Sequence, residues 1–321
     1  MSRPSRRATG VTGGAIALLC ALPLVLSSTW LLVMFLSFVW LILTANYDVL
    51  DGFLGHINLG QGAFFGLGAY VATILLNVPS IQQLGPLTHV IIGAAALAAA
   101  ALFAALMALP LFRLKGLYFA IGTLILIFLL QVLALNLGPL TGGSYGLYVP
   151  PAFFLSTFAG YYLALLVALA SVGLNFYLSR STLGLAFRCI KEDEVAAHSV
   201  GLNLMKYKTL AIVIASVPSA AAGILFALNS GFIDPNIALG VERSLLPPLM
   251  ALMGGTGTVL GPVFGTAIIR VLETVFFHYL RLPVPSMLFF GITLLAVALC
   301  IPEGLMKSRW VKRLQPRGGT R

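Results

Sequence analysis

Residues 179–208 read SRSTLGLAFRCIKEDEVAAHSVGLNLMKYK, the longest polar interruption in an otherwise apolar chain. The stretch holds five of the nineteen basic residues (Arg180, Arg188, Lys191, Lys206, Lys208) and three of the nine acidic ones (Glu192, Asp193, Glu194). Long apolar runs flank it on both sides, so it is a loop between membrane spans with helical content of its own. Within it, Lys191–Val200 predicts a short helix whose acidic first turn (Glu192, Asp193, Glu194) suits the positive end of the helix dipole. Gly201 then supplies a left-handed cap, and Asn203 caps the helix that follows. A short helix flanked by Lys and Arg either floats at the lipid interface or seats in a partner's groove.

The rest of the composition agrees with a membrane setting. Of 321 residues, 60% are hydrophobic and 9% charged, with a mean hydropathy of +1.02, whereas a soluble domain carries roughly 25% charged residues. Runs of ~17–25 apolar residues match the length of a transmembrane helix. Their Leu/Ala/Val/Gly content lacks the alternation of a β-barrel. The net charge of +10 is topological rather than a nucleic-acid footprint. Sixteen of the nineteen Lys and Arg fall at Arg3/Arg6/Arg7, at Arg113/Lys115, in the 179–208 loop and in the tail from Lys307 to Arg321. Placing all four on the cytoplasmic side satisfies the positive-inside rule.

Counting spans from a cytoplasmic N-terminus gives an all-α, polytopic bundle of about ten transmembrane elements, some short or broken, with a cytoplasmic C-terminus. A tail, 1–12, precedes a single membrane domain, 13–302, and a basic tail, 303–321, follows it. The first apolar stretch is too long for a cleaved leader and reads as two short spans, ~13–29 and ~30–47, turning near Ser27/Ser28. Asp48 and Asp51 mark a short turn after it. The spans that follow are expected near Val90–Leu109, stopping at Pro110, then Leu117–Leu137 and Phe153–Leu178. Beyond the loop come Thr209–Leu228, with Pro218 inside it and a small-residue face, Leu260–Phe277 and Ser286–Ile301. Leu245–Met253 is too short to cross as a regular helix. The echo between Leu59-Gly60-x-x-x-Phe64-x-Gly66 and Leu260-Gly261-x-x-Phe264-Gly265 hints at an internal duplication.

Glycines 60, 62, 66 and 68 would each cost roughly 1 kcal/mol in an ordinary helix interior. They indicate either close helix packing or a helix broken beside a solute path. In the second reading Asn58, Gln61 and Phe64 line that path. Arg270 and Glu273, i,i+3 within a span, either pair with each other or face an aqueous cavity. No G-x-x-x-x-G-K-[ST] phosphate loop is present. The four histidines and three cysteines lack metal-ligand or paired spacing, so neither a metal nor a disulfide is expected. The G-x-S-x-G at Gly142–Gly146 sits in a Gly/Pro turn without the strand and base that a nucleophile elbow needs.

Glu194-Val195-Ala196-Ala197-(x3)-Gly201 resembles the E-A-A…G coupling motif of ABC-importer permeases. The fuller run 180–203 is similar to the branched-chain amino acid permease family, LivM-type subunit. So are LGHINLGQGAFFGLGAY (54–70), FRLKGLYFAIGTL (112–124), LTGGSYGL (140–147), GFIDP (231–235), MGGTGTVLGPVFG (253–265) and PEGL (302–305). Where the family pattern has G-Q-x-S, this chain has Gly55-His56-Ile57-Asn58. The resemblance implies a non-enzymatic permease of a bacterial inner membrane, without a cofactor of its own. Its partners would be a second, LivH-like permease, two ABC ATPases that consume ATP and a periplasmic solute-binding protein, with lipid around the spans. Arg188, Glu192, Glu194, Ala197 and Gly201 would contact the ATPase. The solute would be a branched-chain or related amino acid, or else urea, a short amide or an aromatic acid. A stand-alone secondary transporter or channel is the competing class, and the spans lack the buried carboxylates it would need for ion coupling.

Overall fold

The computed structural model describes residues 17–83, 85 and 87–276, with isolated positions at 14, 288, 291, 292 and 295. The tail 1–12, the closing span from Ser286 apart from those isolated positions, and the basic tail 303–321 lie outside the described residues.

Among the described residues, ten α-helices longer than four residues carry the architecture: α1 Ser28–Asp48, α2 Gln61–Leu76, α3 Leu87–Leu111, α4 Leu117–Asn136, α5 Thr157–Arg180, α6 Thr182–Glu192, α7 Glu194–Ser199, α8 Leu204–Ser230, α9 Glu242–Gly254 and α10 Gly261–Thr274. Two residue pairs, β1 (Leu147–Tyr148) and β2 (Phe232–Ile233), join antiparallel with Leu147 opposite Ile233 and Tyr148 opposite Phe232. That pairing ties the α4–α5 connection to the α8–α9 connection.

Among the described residues, six helical segments are long and apolar enough to cross a bilayer: Ser28–Phe53, Leu87–Leu111, Leu117–Asn136, Thr157–Arg180, Leu204–Ser230 and Pro235–Gly254. Helix α2 is apolar but has 16 residues, and α10 has 14. The expected count of about ten is therefore approximate. The break at Ser27, whose backbone is extended (ψ 159°), falls where the turn was expected. The stretch before it is tied down by Tyr161 and Tyr162, whose hydroxyls donate to the carbonyls of Leu19 (2.7 Å) and Cys20 (3.1 Å).

One expectation is corrected here. Asp48 and Asp51 do not make a turn, because the chain stays helical through a π-helical turn at Val49–Phe53. An acidic residue can stay inside a helix when its buried carboxylate finds a hydrogen-bond donor there. Asp48 is fully buried and accepts the Gly257 N–H at 2.8 Å, 209 residues away.

Helix α8 is the centre of the bundle, with α2 and α3 on one side and α1 and α5 on the other. Three apolar clusters meet at α8 among the described residues, a small one around Ile224 and Leu228 and two larger ones. Of the larger two, one is drawn largely from α2, α3, α4 and α6–α8; the other comes mainly from α1, α5, α9 and α10, with Phe65 and Phe226 joining it from α2 and α8. The expected small face of α8 is buried throughout at Ala215, Ser216, Ser219, Ala222 and Gly223, and the helix runs unbroken through Pro218. Its neighbour α3 buries Ile92, Ala96, Ala100, Ala104 and Ala108, four residues apart. Lipid offers little hydrophobic drive between helices, so small side chains that allow close van der Waals contact carry the association. Glycines on both helices serve the same end: a Cβ at Gly68 of α2 would press on the backbone of Ala220, and one at Gly223 of α8 on that of Phe65. Pro110 is accommodated in the last turn of α3, one residue past its expected stop.

Candidate functional site: the α6–α7 elbow and the entry to α2

The helix expected at Lys191–Val200 is two helices. Lys191 and Glu192 close α6, and Asp193 takes an extended conformation (φ −157°) and caps α7. Its Oδ1 accepts the N–H groups of Val195 (2.8 Å) and Ala196 (3.1 Å), satisfying donors that a helix start leaves open. A side chain that caps the backbone in this way favours a new helix start over continuation of the old one. At the far end Gly201 has φ +89°, as its expected left-handed role requires. The Leu202 N–H then reaches back to the Ala197 carbonyl at 3.1 Å. Asn203 caps α8 by accepting the Lys206 N–H at 3.1 Å.

The elbow has an inner and an outer face. On the inner face Phe187, Ile190 and Ala197 join the core, and Ala197 is only 3% exposed. Arg188, Glu192, Val195, Val200 and Gly201 are exposed, with Val195 and Val200 each at 77%. These two valines were not anticipated, although apolar residues beside charges in a polar loop are a signal of contact. Arg188 donates to the Ser179 carbonyl (3.3 Å) and lies over the Phe53 ring. Lys191 donates to the carbonyls of Asp51 (3.2 Å) and Gly52 (2.9 Å) at the end of α1.

Glu194 joins the elbow to two further elements. Its Oε1 lies 2.6 Å from Lys208 Nζ on α8 and 3.5 Å from His56 Nε2, in the segment that leads into α2. Lys208 is 7% exposed and also faces the Phe112 ring. The His56 imidazole meets the Phe112 and Phe119 rings edge-on, and its Nδ1 lies 3.2 Å from the Leu54 carbonyl. A carbonyl only accepts, so Nδ1 carries the proton and Nε2 turns a lone pair toward Glu194. Burial, and then the neighbouring Lys208 charge, holds the His56 pKa below the ordinary 6.5. Contact with Glu194 becomes an ion pair only on protonation. A cavity of about 430 Å³ opens beside this cluster, lined by His56, Phe112, Lys115, Gly116, Glu194 and Lys208 among others.

Asn58, Gln61 and Phe64 lie at the bundle centre and are all fully buried. Asn58 Oδ1 accepts the Gly60 N–H (2.9 Å), and Gln61 Oε1 accepts from the Ser219 hydroxyl (3.2 Å). The Asn58 Nδ2 and Gln61 Nε2 groups have no partner among the described residues. Phe64 packs edge-on against Phe103. Arg270 and Glu273 pair with each other on α10, and Arg270 Nε donates to the Ser37 hydroxyl at 3.3 Å. Of the two readings for that pair, the structure gives mutual pairing.

Arg243 on α9 was not anticipated. Its guanidinium carbon lies 4.8 Å from the Trp40 ring centre, 4.9 Å from Phe65 and 4.7 Å from Phe226. A signal for it existed: it is one of three basic residues outside the four clusters, with Arg270 and Arg281.

Apolar spans packed through small residues, with a polar elbow tied to the chain after α1 and to the base of α8 and lying against the segment that enters α2, define a multi-pass membrane protein. The family model described as "Branched-chain amino acid transport system / permease component" matches residues 10–298, and the chain belongs to that family. It is similar to the high-affinity branched-chain amino acid transport system permease protein LivM of Escherichia coli (strain K12), with 30% identity over 303 residues, covering 84% of this chain and 68% of that protein. The LivH permease protein of the same strain is 24% identical over 289 residues, covering 83% of this chain and 90% of LivH. A probable LivM permease protein of Methanocaldococcus jannaschii is 27% identical over 184 residues, covering 52% of this chain and 53% of that protein. No solved structure matches the chain.

Proposed function

We propose that this chain is the LivM-like permease subunit of an ABC importer for branched-chain or related amino acids. It sits in a bacterial inner membrane with both termini and the α6–α7 elbow on the cytoplasmic side. A LivH-like permease completes the path, two ABC ATPases seat against the elbows and hydrolyse ATP, and a periplasmic binding protein delivers solute.

The observation that carries this reading is the position of Glu194. It belongs to the stretch that faces the ATPase in this reading, and through Lys208 and His56 it contacts α8 and the entry to α2. A push on the exposed Arg188, Glu192, Val195 and Val200 is therefore transmitted to the elements that surround Asn58 and Gln61. Lys191 carries the same push to the end of α1. Packed helices respond as rigid bodies, so a small displacement at the elbow becomes a rocking of spans about the centre.

The test is purification of the tagged chain from its native membrane in mild detergent, with mass spectrometry of what accompanies it. A phosphate-loop ATPase and a second permease in comparable amounts are expected. Recovery of the chain alone, with uptake driven by an ion gradient, would replace this reading with a secondary transporter. Screening the associated binding protein then separates leucine-like solutes from urea, amides and aromatic acids.

A further inference from the structure

The Arg243 cage has a property that the other ion pairs of the bundle lack. Arg270 is paired with Glu273 and Lys208 with Glu194, whereas among the described residues no carboxylate lies within 4 Å of the Arg243 guanidinium. Its neighbours are three aromatic rings, from α1, α2 and α8. Ring faces attract the cation but leave its N–H donors without strong acceptors. A cation on a membrane helix with unused donors is expensive and marks a path for a polar solute. Arg243 as a whole residue is half-buried rather than sealed in the core.

The surroundings supply further donors, while the carboxylates nearest in charge, Glu242 and Glu273, lie beyond ion-pair distance of the guanidinium. Ser244, the next residue, is fully buried, and its hydroxyl has no partner among the described residues. Gly62 packs so closely that a Cβ there would lie 2.9 Å from both Arg243 Cβ and Ser244 Oγ. This sets the first turn of α2, which begins at Gln61, against the start of α9, and the Gln61 amide nitrogen has no partner among the described residues.

We propose that Arg243 holds the carboxylate of the transported solute on its way through the bundle, with Ser244 and Gln61 as accompanying donors. The guanidinium fork matches a carboxylate in two parallel hydrogen bonds. The inference rests on the importer reading for its solute, an amino acid, and fits that solute better than urea or a simple amide, which carry no anionic group.

Trp40 reports on the site directly. In the purified membrane complex in nanodiscs, without binding protein and with Trp30→Phe and Trp310→Phe, leucine and isovalerate should change the part of the emission that is lost in a parallel complex carrying Trp40→Phe as well. Leucinamide and isoamylamine should not. Arg243→Gln should abolish the response, and Arg243→Lys should retain it with affinity weakened by about tenfold, the loss of one charge-assisted hydrogen bond. Equal responses to leucine and leucinamide would overturn the proposal without any substitution at 243. Leucine uptake at the wild-type rate by a normally assembled Arg243→Gln complex would also overturn it, and would leave the importer reading standing. Carboxylate-selective quenching in a chain that shows no ATP-driven uptake would do the reverse.

Discussion

The Glu194 carboxylate and the Lys208 ammonium lie 2.6 Å apart across the turn that joins α7 to α8. Lys208 is nearly buried and Glu194 is 39% exposed, so the pair anchors a partly solvated helix to the base of a membrane span. Glu194→Gln should destabilise the chain by about 1 kcal/mol, since the exposed partner is screened by water. It should also reduce uptake by more than stability accounts for. A double-mutant cycle with Lys208→Met, read by thermal unfolding in detergent, should show coupling between the two sites; strict additivity would mean the pair contributes nothing.

His56 gives the same cluster a pH dependence. Its pKa in the folded protein lies below 6.5 because burial disfavours the imidazolium, with Lys208 adding repulsion and Glu194 opposing it. The unfolded chain therefore binds more protons than the folded one between those two values. Stability is complete above about pH 6.5 and is lost as the pH falls through that value toward the folded-state pKa. Unfolding midpoints measured across this range should fall on acidification, and His56→Gln should flatten the curve. An unchanged slope in the variant would assign the effect to other groups.

At Gly201 a Cβ would meet nothing within 4 Å, so the requirement for glycine rests on φ +89° alone. Gly201→Ala should cost about 1–2 kcal/mol locally and lower uptake partially. Gly201→Asp should abolish uptake while the chain still inserts in the membrane and assembles. Membrane fractionation together with labelled-leucine uptake separates the two effects; normal uptake by the aspartate variant would remove Gly201 from coupling.

Ala104 lies in the alanine row that α3 presents to the bundle core and is fully buried. Ala104→Leu forces the helices apart, at about 1–3 kcal/mol for an overpacked core. The control is Leu102 on the opposite face, which is 62% exposed; Leu102→Ile should leave yield and unfolding temperature unchanged. Equal tolerance at the two positions would show that the alanine row does not set the spacing.

Much of the bundle was legible because hydropathy and small-residue spacing are local. The bounds of α4, the presence of α5 and α8 (which start four residues later and five residues earlier than expected) and the buried face of α8 follow from runs and periods along single helices. The caps at Gly201 and Asn203 were readable for the same reason, since a cap depends on residues within a turn of it. The split of the elbow at Asp193 was missed because acidic residues suit both a first turn and a cap, and the sequence pattern does not separate these roles. The π-helical turn after Asp48 was missed because its partner, Gly257, is remote in the chain.

The sequence by itself determined that this is a multi-pass helical membrane protein with one polar elbow, and its motifs carried the family. Those properties depend on composition, charge placement and short-range periodicity, which need no knowledge of neighbouring helices. Only the tertiary structure decided that Glu194 meets both Lys208 and His56, that Asp48 holds the Gly257 loop, and that three rings from three helices enclose Arg243. Each of these relationships joins elements that hydropathy treats alike, and only the packing of small faces decides which apolar helices become neighbours.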